Sequence, residues 1–504
     1  MTQDIDVFII GGGVNGAGIA RDCAGRGFKT VLCEMDDLAS GTSSWSSKLV
    51  HGGVRYLEHY EFMLVRKALT EREVLWAAAP HIIRPMRFVM PHHKDMRPAW
   101  FLRLGLFLYD HIGGRKLLPG TKTVDLATGI YGKPLKAIFK KGFQYSDCQV
   151  DDARLVILNA MDAQAKGAEI NVRTKCVEAE RDGDFWHVKT RHVDSGEEQT
   201  YRAKLIVNAS GPWVDSVLNQ AFGRNDAHNV RMVQGSHIVV PKLFDHDSAY
   251  IFQNADERII FAIPFTSDTT LIGTTDRDYE GDPADVKITS EEIEYLCNAA
   301  SEYFEKPVTP ESICWTYSGV RPLYDDGATA AQEATRDYVF RQEGGKNSEQ
   351  GGAPLINIFG GKITTYRELA ERMMDEIEEN LGKKGRPWTA RAPLPGGDFP
   401  VQGFKTLVAK TMSRYAFLMP EQAERMCHAY GTKITSVLGN ATAVDQLGED
   451  FGQGLYEAEV RYLMTNEWAH SADDVVWRRS KLGLVMNDKQ VAALDSWMKK
   501  ERAA

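Results

Sequence analysis

The sequence of this chain of 504 residues has few cysteines and no excess of basic residues. Its seven cysteines are odd in number, scattered, and nowhere form a C-x-x-C pair. The sequence therefore predicts neither a disulfide framework nor a thiolate zinc site, and it favours a reducing, cytosolic environment. The formal net charge of −9 argues against a nucleic-acid partner, and it means that any anionic ligand must be bound by local arginines and lysines.

Long apolar runs are also missing. No run reaches the ~20 residues that a helix needs to span a bilayer. Asp4 and Asp6 stand where a signal peptide would be basic, so we expect no export signal. Residues 98–109 (PAWFLRLGLFLY) form one short apolar segment with basic residues on both sides. This segment predicts either a buried core helix or a helix that lies in the interface of an anionic membrane.

The first 34 residues contain the parts of a dinucleotide-binding βαβ unit in the right order. A predicted strand runs into G-x-G-x-x-G at Gly11, Gly13 and Gly16, and a helix and a second predicted strand at 30–33, which ends on the acid Glu34, follow. Gly11 permits the turn, Gly13 lets the backbone approach a pyrophosphate, and Gly16 lets the helix pack close to the strand. The helix N-terminus can bind phosphate and Glu34 can accept hydrogen bonds from a ribose. The alternative is a glycine-rich turn without a ligand.

Two further predicted strands end in small-residue turns, at residues 205–213 (LIVNASGPW) and 355–362 (LINIFGGK). Each of these turns alone is also typical of an ordinary connection between a strand and a helix. In a doubly wound α/β sheet such turns gather at the carboxyl ends of the strands, where ligands bind. Three of them together favour one extended cofactor, and we predict a flavin dinucleotide.

The chain changes character near its last quarter. Residues 383–398 are rich in lysine, proline and glycine and predict a domain boundary. Beyond it, apolar residues at three- and four-residue spacing predict helices at 421–429, 456–470 and 472–481. Before it, residues 366–381 also predict a helix, with an acidic exposed face.

The recognisable segments of this chain are 41–58 (GTSSWSSKLVHGGVRYLE), 145–147 (YSD) with 151–155 (DDARL), 235–241 (GSHIVVP), 272–276 (IGTTD), 315–322 (WTYSGVRP), 359–367 (FGGKITTYR), 447–452 (LGEDFG) and 477–483 (WRRSKLG). These segments, which run along the whole chain, resemble the FAD-dependent glycerol-3-phosphate dehydrogenases. The resemblance is closest to the aerobic, respiratory bacterial form, which belongs to the wider glycine-oxidase and D-amino-acid-oxidase-like flavoproteins.

The resemblance implies an α/β fold in three parts. These are a Rossmann-like FAD-binding domain of the glycine-oxidase and D-amino-acid-oxidase type, a β-rich substrate-binding domain and a C-terminal helical domain. We expect the FAD-dependent oxidoreductase region to span 1–388 and the helical domain 389–504. Within the first region, we expect the FAD-binding parts to be about 1–80, 145–230 and 320–388, interleaved with substrate- or membrane-facing parts at about 81–144 and 231–319.

The resemblance also assigns residues to the FAD site. The predicted cofactor-binding residues are Gly11, Gly13, Asn15, Gly16, Glu34, Thr42, Ser43, Ser47, Lys48, Leu49, His51, Gly52, Ala209, Gly211, Trp213, Gly361, Lys362, Ile363 and Thr364. Asp147, Asp151 and Asp152 lie close together but lack the spacing of a calcium loop, so we expect capping and ion pairing there and predict no metal site.

The implied substrate is sn-glycerol 3-phosphate, whose phosphate carries close to two negative charges. A buried dianion needs several cationic donors, and the candidates for binding it are Arg55, Arg321, Arg336 and Lys362. An ordinary structural ion pair is the alternative for each arginine. Oxidation at C2 also needs a base for the hydroxyl proton, and an unperturbed histidine titrates near pH ~6.5.

His51 and His237 are the candidates for that base, and the sequence does not choose between them. Arg321 is a further catalytic candidate, which could stabilise the developing alkoxide. Thr274 and Tyr56 could orient substrate hydroxyls or could serve packing alone.

The resemblance further implies that electrons pass to ubiquinone or menaquinone. We therefore expect a peripheral, monotopic protein on the cytoplasmic face of the inner membrane, in contact with anionic lipid. The competing functions are a soluble oxidase that uses oxygen, an amine or amino-acid oxidase on the same scaffold, and a flavin-binding assembly or sensor protein without turnover. A homodimer is one assembly that the sequence leaves open.

Overall fold

The computed structural model describes residues 2–503 except 59, 95, 225–226, 255, 257, 326–336, 347 and 349–350. The strands of this part of the chain are β1 (Gln3–Ile10), β2 (Thr30–Cys33), β3 (Leu49–Val50), β4 (Ile83–His92), β5 (Lys122–Asp125), β6 (Lys141–Val150), β7 (Glu169–Asn171), β8 (Thr174–Asp182), β9 (Phe185–His192), β10 (Glu198–Asn208), β11 (Val230–Pro241), β12 (Ala249–Gln253), β13 (Ile259–Pro264), β14 (Thr269–Gly273), β15 (Arg277–Asp278), β16 (Trp315–Tyr324), β17 (Val339–Glu343) and β18 (Leu355–Phe359).

Its α-helices are α1 (Val14–Gly25), α2 (Phe62–Ala78), α3 (Ala99–Ile112), α4 (Asp152–Ala165), α5 (Val214–Ala221), α6 (Ser290–Tyr303), α7 (Tyr366–Leu381), α8 (Phe404–Arg414), α9 (Pro420–Tyr430), α10 (Ile434–Leu438), α11 (Glu457–Asn466) and α12 (Asp488–Ala503). Among the described residues, no helix combines the length and the apolar character needed to cross a membrane.

The first sheet carries the glycine turn that follows β1. Its order is β17-β18-β10-β1-β2-β7, with β9 beside β10 and β8 beside β9. β1 pairs in parallel with both β10 and β2, and its last six residues are buried. Parallel strands covered on both faces need such continuous apolar runs. The glycine turn after β1 therefore lies at the carboxyl edge of the sheet, beside the ends of β2, β10 and β18.

The second sheet, of ten strands in the described part of the chain, carries the candidate residues His237 and Arg321 on β11 and β16. β11 pairs antiparallel with β14, β15 and β16, and β4 pairs antiparallel with β6. Buried residues of α6 pack on this sheet in one apolar cluster, and buried residues of α2 and α3 pack on it in another. The short strand β3 joins this sheet through β6, which brings the segment after residue 41 onto it.

The C-terminal part of the chain folds around an apolar core of its own, built from α8 to α12. The predicted helix at 366–381 has the same bounds as α7, but two predictions are corrected here. The helix expected over 456–470 is α11, which ends at Asn466, because the backbone of Trp468 has a φ of +55° that a right-handed helix does not adopt. The helix expected over 472–481 contains a π-helical turn, Asp474–Arg479.

Candidate functional site

The glycine turn after β1 leaves no room for side chains. Gly11 has a φ of +111°, and a Cβ there would lie 2.6 Å from the carbonyl oxygen of Ala209. A Cβ on Gly16 would lie 1.9 Å from the carbonyl oxygen of Gly11. The turn therefore packs directly on the end of β10 and on the start of α1, which is the packing that a phosphate-binding turn needs.

A cavity of about 930 Å³ begins at this turn and follows the carboxyl ends of the parallel strands toward the second sheet. Asn15 in α1 donates from Nδ2 to the carbonyl oxygen of Gly360 at 3.3 Å, but its buried Oδ1 has no partner among the described residues. An orphaned buried oxygen indicates a donor from a ligand or water. The predicted cofactor-binding residues on the cavity wall are Gly11, Gly13, Asn15, Glu34, Thr42, Ser43, Ala209, Gly211, Trp213, Gly361 and Ile363.

Glu34 presents its carboxylate at the end of β2. Oε2 accepts from the backbone N–H of Gly12 at 2.7 Å, and Oε1 accepts from that of Asp36 at 2.8 Å. Burial raises the pKa of this carboxyl to about 7. The glycine cradle, the orphaned oxygen of Asn15 and this acid together fit the pyrophosphate and ribose of FAD.

The segment from residue 42 to 51 connects the cavity to the second sheet through hydrogen bonds. Thr42 donates from its hydroxyl to the carbonyl oxygen of Val320 in β16 at 2.5 Å, and the Ser47 hydroxyl lies 2.8 Å from Nε2 of His237 in β11. The buried ammonium of Lys48 lies 2.9 Å from Asp152. Although burial opposes it, this charge holds the pKa of the Asp152 carboxyl below its usual value.

The other predicted cofactor-binding residues lie off the cavity wall. Leu49 is buried in β3, and Gly52 donates its N–H to the Tyr109 hydroxyl at 2.8 Å. Thr364 accepts from the backbone N–H of His51 at 3.2 Å. The residues of this group are Gly16, Ser47, Lys48, Leu49, His51, Gly52, Lys362 and Thr364.

Two cations near His51 have no acid partner in the part of the chain that the structure describes. Arg55 lies in the turn Val54–Leu57, and its guanidinium makes no hydrogen bond or ion pair with the described residues. The ammonium of Lys362 lies 4.0 Å from the ring centroid of Tyr56 and likewise has no carboxylate within the described ranges. Arg336 lies outside the described residues. These cations leave positive charge available to an anion.

Arg321 differs because it has a carboxylate partner. Its Nη1 pairs with Asp276, and its Nη2 donates to the Thr274 hydroxyl at 3.3 Å. A Cβ on Gly235 would lie 2.7 Å from that Nη2 and 2.8 Å from that hydroxyl, so glycine leaves space beside both groups. Asp276 is a residue of this site that the sequence did not single out.

The His51 segment and the pair formed by Thr274 and Arg321 approach each other across the second sheet. The ring centroid of His51 lies 6.3 Å from that of Phe261, and Phe261 is paired with Gly273, which precedes Thr274. Gly273 is also paired with His237 in β11. Residues far apart in the chain, around 51, 237, 274 and 321, are therefore gathered at one end of this sheet.

Both candidate histidines are neutral at neutral pH. Burial lowers the pKa of His51, and the charge of Lys362 lowers it further. Burial also lowers the pKa of His237 well below its usual value. The His237 ring stacks on Tyr317 at 4.6 Å, and its buried Nδ1 has no partner among the described residues. Either ring could accept a proton from a substrate hydroxyl.

Several cavity-wall residues were not predicted from the sequence. Trp45, Trp315 and Tyr317 line the cavity where it meets the second sheet, and their rings contact one another. Trp477 and Arg478 reach the same cavity from the C-terminal part of the chain. All five lie in segments that carry the family resemblance, but no local pattern connects residues 477–478 with a cofactor.

Fold and site together define a flavin-dependent oxidoreductase, and comparisons with known proteins agree. The family model for FAD dependent oxidoreductase matches residues 6–367, and that for the C-terminal domain of alpha-glycerophosphate oxidase matches residues 387–500. A D-erythritol 1-phosphate dehydrogenase from Brucella abortus is 51% identical over 98% of this chain and 98% of its own. An aerobic glycerol-3-phosphate dehydrogenase from Escherichia coli is 46% identical over 98% of this chain and 97% of its own.

A solved structure also resembles the chain over nearly its full length. The glycerol-3-phosphate dehydrogenase from Bacillus halodurans, complexed with FAD, superposes with a TM-score of 0.79 at 28% identity, covering 99% of this chain and 90% of that chain. The chain belongs to the family of FAD-dependent glycerol-3-phosphate dehydrogenases. The predicted fold class and the predicted cofactor, FAD, are thereby confirmed.

Proposed function

We propose that this protein oxidises sn-glycerol 3-phosphate at its C2 hydroxyl and releases dihydroxyacetone phosphate. The observation that carries the proposal is the pair Arg55 and Lys362, two cations near His51 without acid partners among the described residues. A phosphate dianion needs such donors, and arginine offers it a planar fork of N–H groups. Relatives named glycerol-3-phosphate dehydrogenase support the same substrate.

In this proposal each group has a distinct role. Arg55 and Lys362 bind the phosphate, with Arg336 as a further predicted contact. His51 or His237 accepts the C2 hydroxyl proton, since both rings are neutral at pH 7. Bound FAD supplies the hydride acceptor. Arg321, with Thr274 beside it, stabilises the oxygen that loses its proton, and Tyr56 holds the ammonium of Lys362 in place.

Anaerobic titration of the purified, FAD-loaded protein tests this proposal. We expect sn-glycerol 3-phosphate to bleach the flavin absorbance and glycerol at the same concentration to leave it unchanged, because glycerol lacks the phosphate. Dihydroxyacetone phosphate should accumulate in step with the bleaching. An unchanged spectrum with sn-glycerol 3-phosphate would refute the substrate assignment and leave the FAD assignment intact.

D-erythritol 1-phosphate is a second candidate substrate, because the relative of that name is 51% identical to this chain. The same phosphate-binding cations would serve both substrates, but the longer polyol needs room and hydroxyl partners one carbon further from the phosphate. The ratio of kcat/KM for the two substrates decides between them. A ratio that favours D-erythritol 1-phosphate would replace the first proposal.

We further propose that electrons pass from FAD to ubiquinone or menaquinone, on the cytoplasmic face of the inner membrane. The exposed face of α3 supports this, since Trp100, Leu104 and Phe107 are 70%, 49% and 49% exposed. Arg97 lies over the ring of the neighbouring Phe101. An apolar face beside basic residues suits the interface of an anionic membrane.

Two measurements test the acceptor and the membrane contact. A short-chain quinone should restore the bleached flavin faster than dissolved oxygen does, and the reverse result would favour a soluble oxidase. For the membrane contact, wild type and the triple variant Trp100→Ser, Leu104→Ser, Phe107→Ser are sedimented with vesicles containing anionic lipid. Equal sedimentation of the two proteins would show that α3 is not the contact surface.

A further inference from the structure

The C-terminal helical domain reaches into the dinucleotide cavity. Trp477 and Arg478 belong to its π-helical turn and line the same cavity as Gly11 and Glu34. They are more than 440 positions from Glu34 in sequence. The domain therefore contributes part of the wall around the cofactor as well as packing against the outside of the fold.

Trp477 is held as a fixed wall element. Its ring is stacked nearly parallel on Trp315, which begins β16, with centroids 4.8 Å apart and planes 10° apart. A Cβ on Gly483 would lie 2.6 Å from the Trp477 ring system, so only glycine permits this close packing. An aromatic pair of this kind contributes stabilisation beyond the area that it buries.

Arg478 and Arg479 bind the loop that presents Glu34. Nε of Arg478 and Nη1 of Arg479 both donate to Oδ2 of Asp37 at 2.5 Å, and Nη2 of Arg479 donates to Oδ1 at 2.9 Å. Asp37 is completely buried. It lies three residues after Glu34, and the intervening Asp36 donates its N–H to the Glu34 carboxylate at 2.8 Å. The helical domain therefore fixes the loop on which the ribose-binding acid is presented.

We propose that the C-terminal helical domain is part of the FAD site, and that FAD binding and docking of this domain stabilise each other. Trp477 and Arg478 complete the cavity, and the Asp37 contacts hold the Glu34 loop. A cavity formed by two parts of a chain is complete only when both parts are docked, so its ligand favours the docked state. The coupling is reciprocal by thermodynamic necessity. The proposal rests on the FAD assignment and is independent of the substrate.

The first test measures FAD affinity in a matched pair of tryptophan variants. Trp477→Ala removes the wall element, whereas Trp497→Ala removes a tryptophan of the same domain that packs on Phe451 away from the cavity. Apoprotein is titrated with FAD and flavin fluorescence is recorded. We expect the dissociation constant to rise at least tenfold in Trp477→Ala and less than twofold in Trp497→Ala. Equal dissociation constants for Trp477→Ala and wild type would overturn the proposal.

The second test uses the wild-type chain and does not depend on a variant that folds. Hydrogen exchange of the α11 amides is compared in apoprotein and in FAD-loaded protein. We expect FAD to slow this exchange at least tenfold, because α11 belongs to the domain that docks over the cavity. Exchange in α11 that is the same with and without FAD would refute the coupling, whatever the substrate proves to be.

Discussion

Two groups of cationic side chains in this protein differ in how their charges are balanced. At the domain interface, Arg154 pairs with Glu467, and Arg478 and Arg479 pair with Asp37. Beside His51, Arg55 and Lys362 have no carboxylate partner among the described residues. The first region is almost completely buried, whereas Arg55 and Lys362 are partly exposed.

This difference distinguishes the paired arginines that stabilise the fold from the cations that remain available to bind a ligand. A guanidinium that is removed from water needs a carboxylate, because an unpaired buried charge is strongly unfavourable. A partly exposed cation in a cleft can remain unpaired at little expense, and it then attracts an anionic substrate. The substitutions below should therefore affect stability at the interface and substrate affinity beside His51.

Arg154→Met should produce the largest effect. Arg154 and Glu467 are both almost fully buried, and the substitution leaves the Glu467 carboxylate without its partner. Removing one member of a buried ion pair typically destabilises a protein by about 3–5 kcal/mol. We expect a clear fall in the Tm of the FAD-loaded protein, measured by thermal unfolding, with KM for the phosphorylated substrate unchanged in the fraction that remains folded.

Arg461→Met is the matched control for that experiment. Arg461 also pairs with carboxylates, Glu457 and Glu501, but it lies half-exposed on the surface of the same domain. Exposed ion pairs contribute roughly 0–1 kcal/mol, so this variant should unfold close to wild type. Equal losses in the two variants would show that burial does not distinguish the pairs.

Arg55→Met should produce the opposite pattern. It removes a donor from the proposed phosphate site but breaks no ion pair within the described chain. A charged hydrogen bond contributes roughly 1.5–3 kcal/mol, which corresponds to a rise of at least tenfold in KM. Steady-state kinetics measures this rise, and Tm should stay within about a degree of wild type. A fall in Tm with unchanged KM would show that Arg55 stabilises the fold and does not bind the substrate.

Arg258→Met is a suitable comparison for Arg55→Met. Arg258 is a partly exposed arginine that pairs with Asp256 and lies over the Tyr295 ring. It carries the same charge, and none of its side-chain contacts among the described residues is with the His51 segment. Its replacement should leave KM near the wild-type value, so that a change seen only in Arg55→Met reports the local site and not the net charge.

The parts of the fold that sequence could predict are those fixed by local patterns. The strand at 30–33 and the helix at 366–381 have the predicted bounds, because apolar periodicity and flanking turns are local properties. The glycine turn could also be predicted from the sequence, since each glycine is required by a contact within one βαβ unit. The cofactor cavity is built mainly on these elements.

The remainder depends on pairings between distant segments. Thr274 lies beside Arg321 only because β14 and β16 both pair with β11, and no single-sequence pattern gives that register. The π-helical turn was expected as a regular helix. In the structure its consecutive residues Arg478 and Arg479 both reach Asp37, a partner about 440 positions earlier.

His81 should make the stability of the domain interface depend on pH. It is completely buried beside Arg154 and His428, and neither ring nitrogen has a partner among the described residues. Burial lowers its pKa to about 3, so the folded state keeps the ring neutral while the unfolded chain binds a proton below pH ~6.5. Stability is therefore lost as the pH falls from 6.5 toward 3, by roughly 2 kcal/mol at pH 5 from this group.

His81→Leu should remove that contribution. We expect the variant to be more stable than wild type at pH 5 and to differ less at pH 8, as measured by Tm across the pH range. His187→Leu, which replaces a partly exposed histidine paired with Asp182, is the comparison variant. An equal slope in wild type and His81→Leu would contradict the linkage.

Tyr109→Phe should produce the smallest effect, and we expect this effect on catalysis beside His51 and not on stability. The Tyr109 hydroxyl accepts from the N–H of Gly52 at 2.8 Å and donates to Asp147, and so it holds the backbone next to His51. Losing one such hydrogen bond costs about 1 kcal/mol, or roughly a fivefold fall in kcat if the loop position governs proton transfer. KM should change little, because Arg55 and Lys362 remain.

Tyr145→Phe separates loop positioning from the simple loss of a tyrosine hydroxyl. Tyr145 is equally buried and its ring lies 5.6 Å from that of Tyr109, but its hydroxyl makes no hydrogen bond within the described part of the chain. We expect kcat near wild type in this control. If both variants lowered kcat alike, the effect would belong to the packing of this core, whereas a fall confined to Tyr109→Phe shows that the buried side of α3 positions the His51 loop.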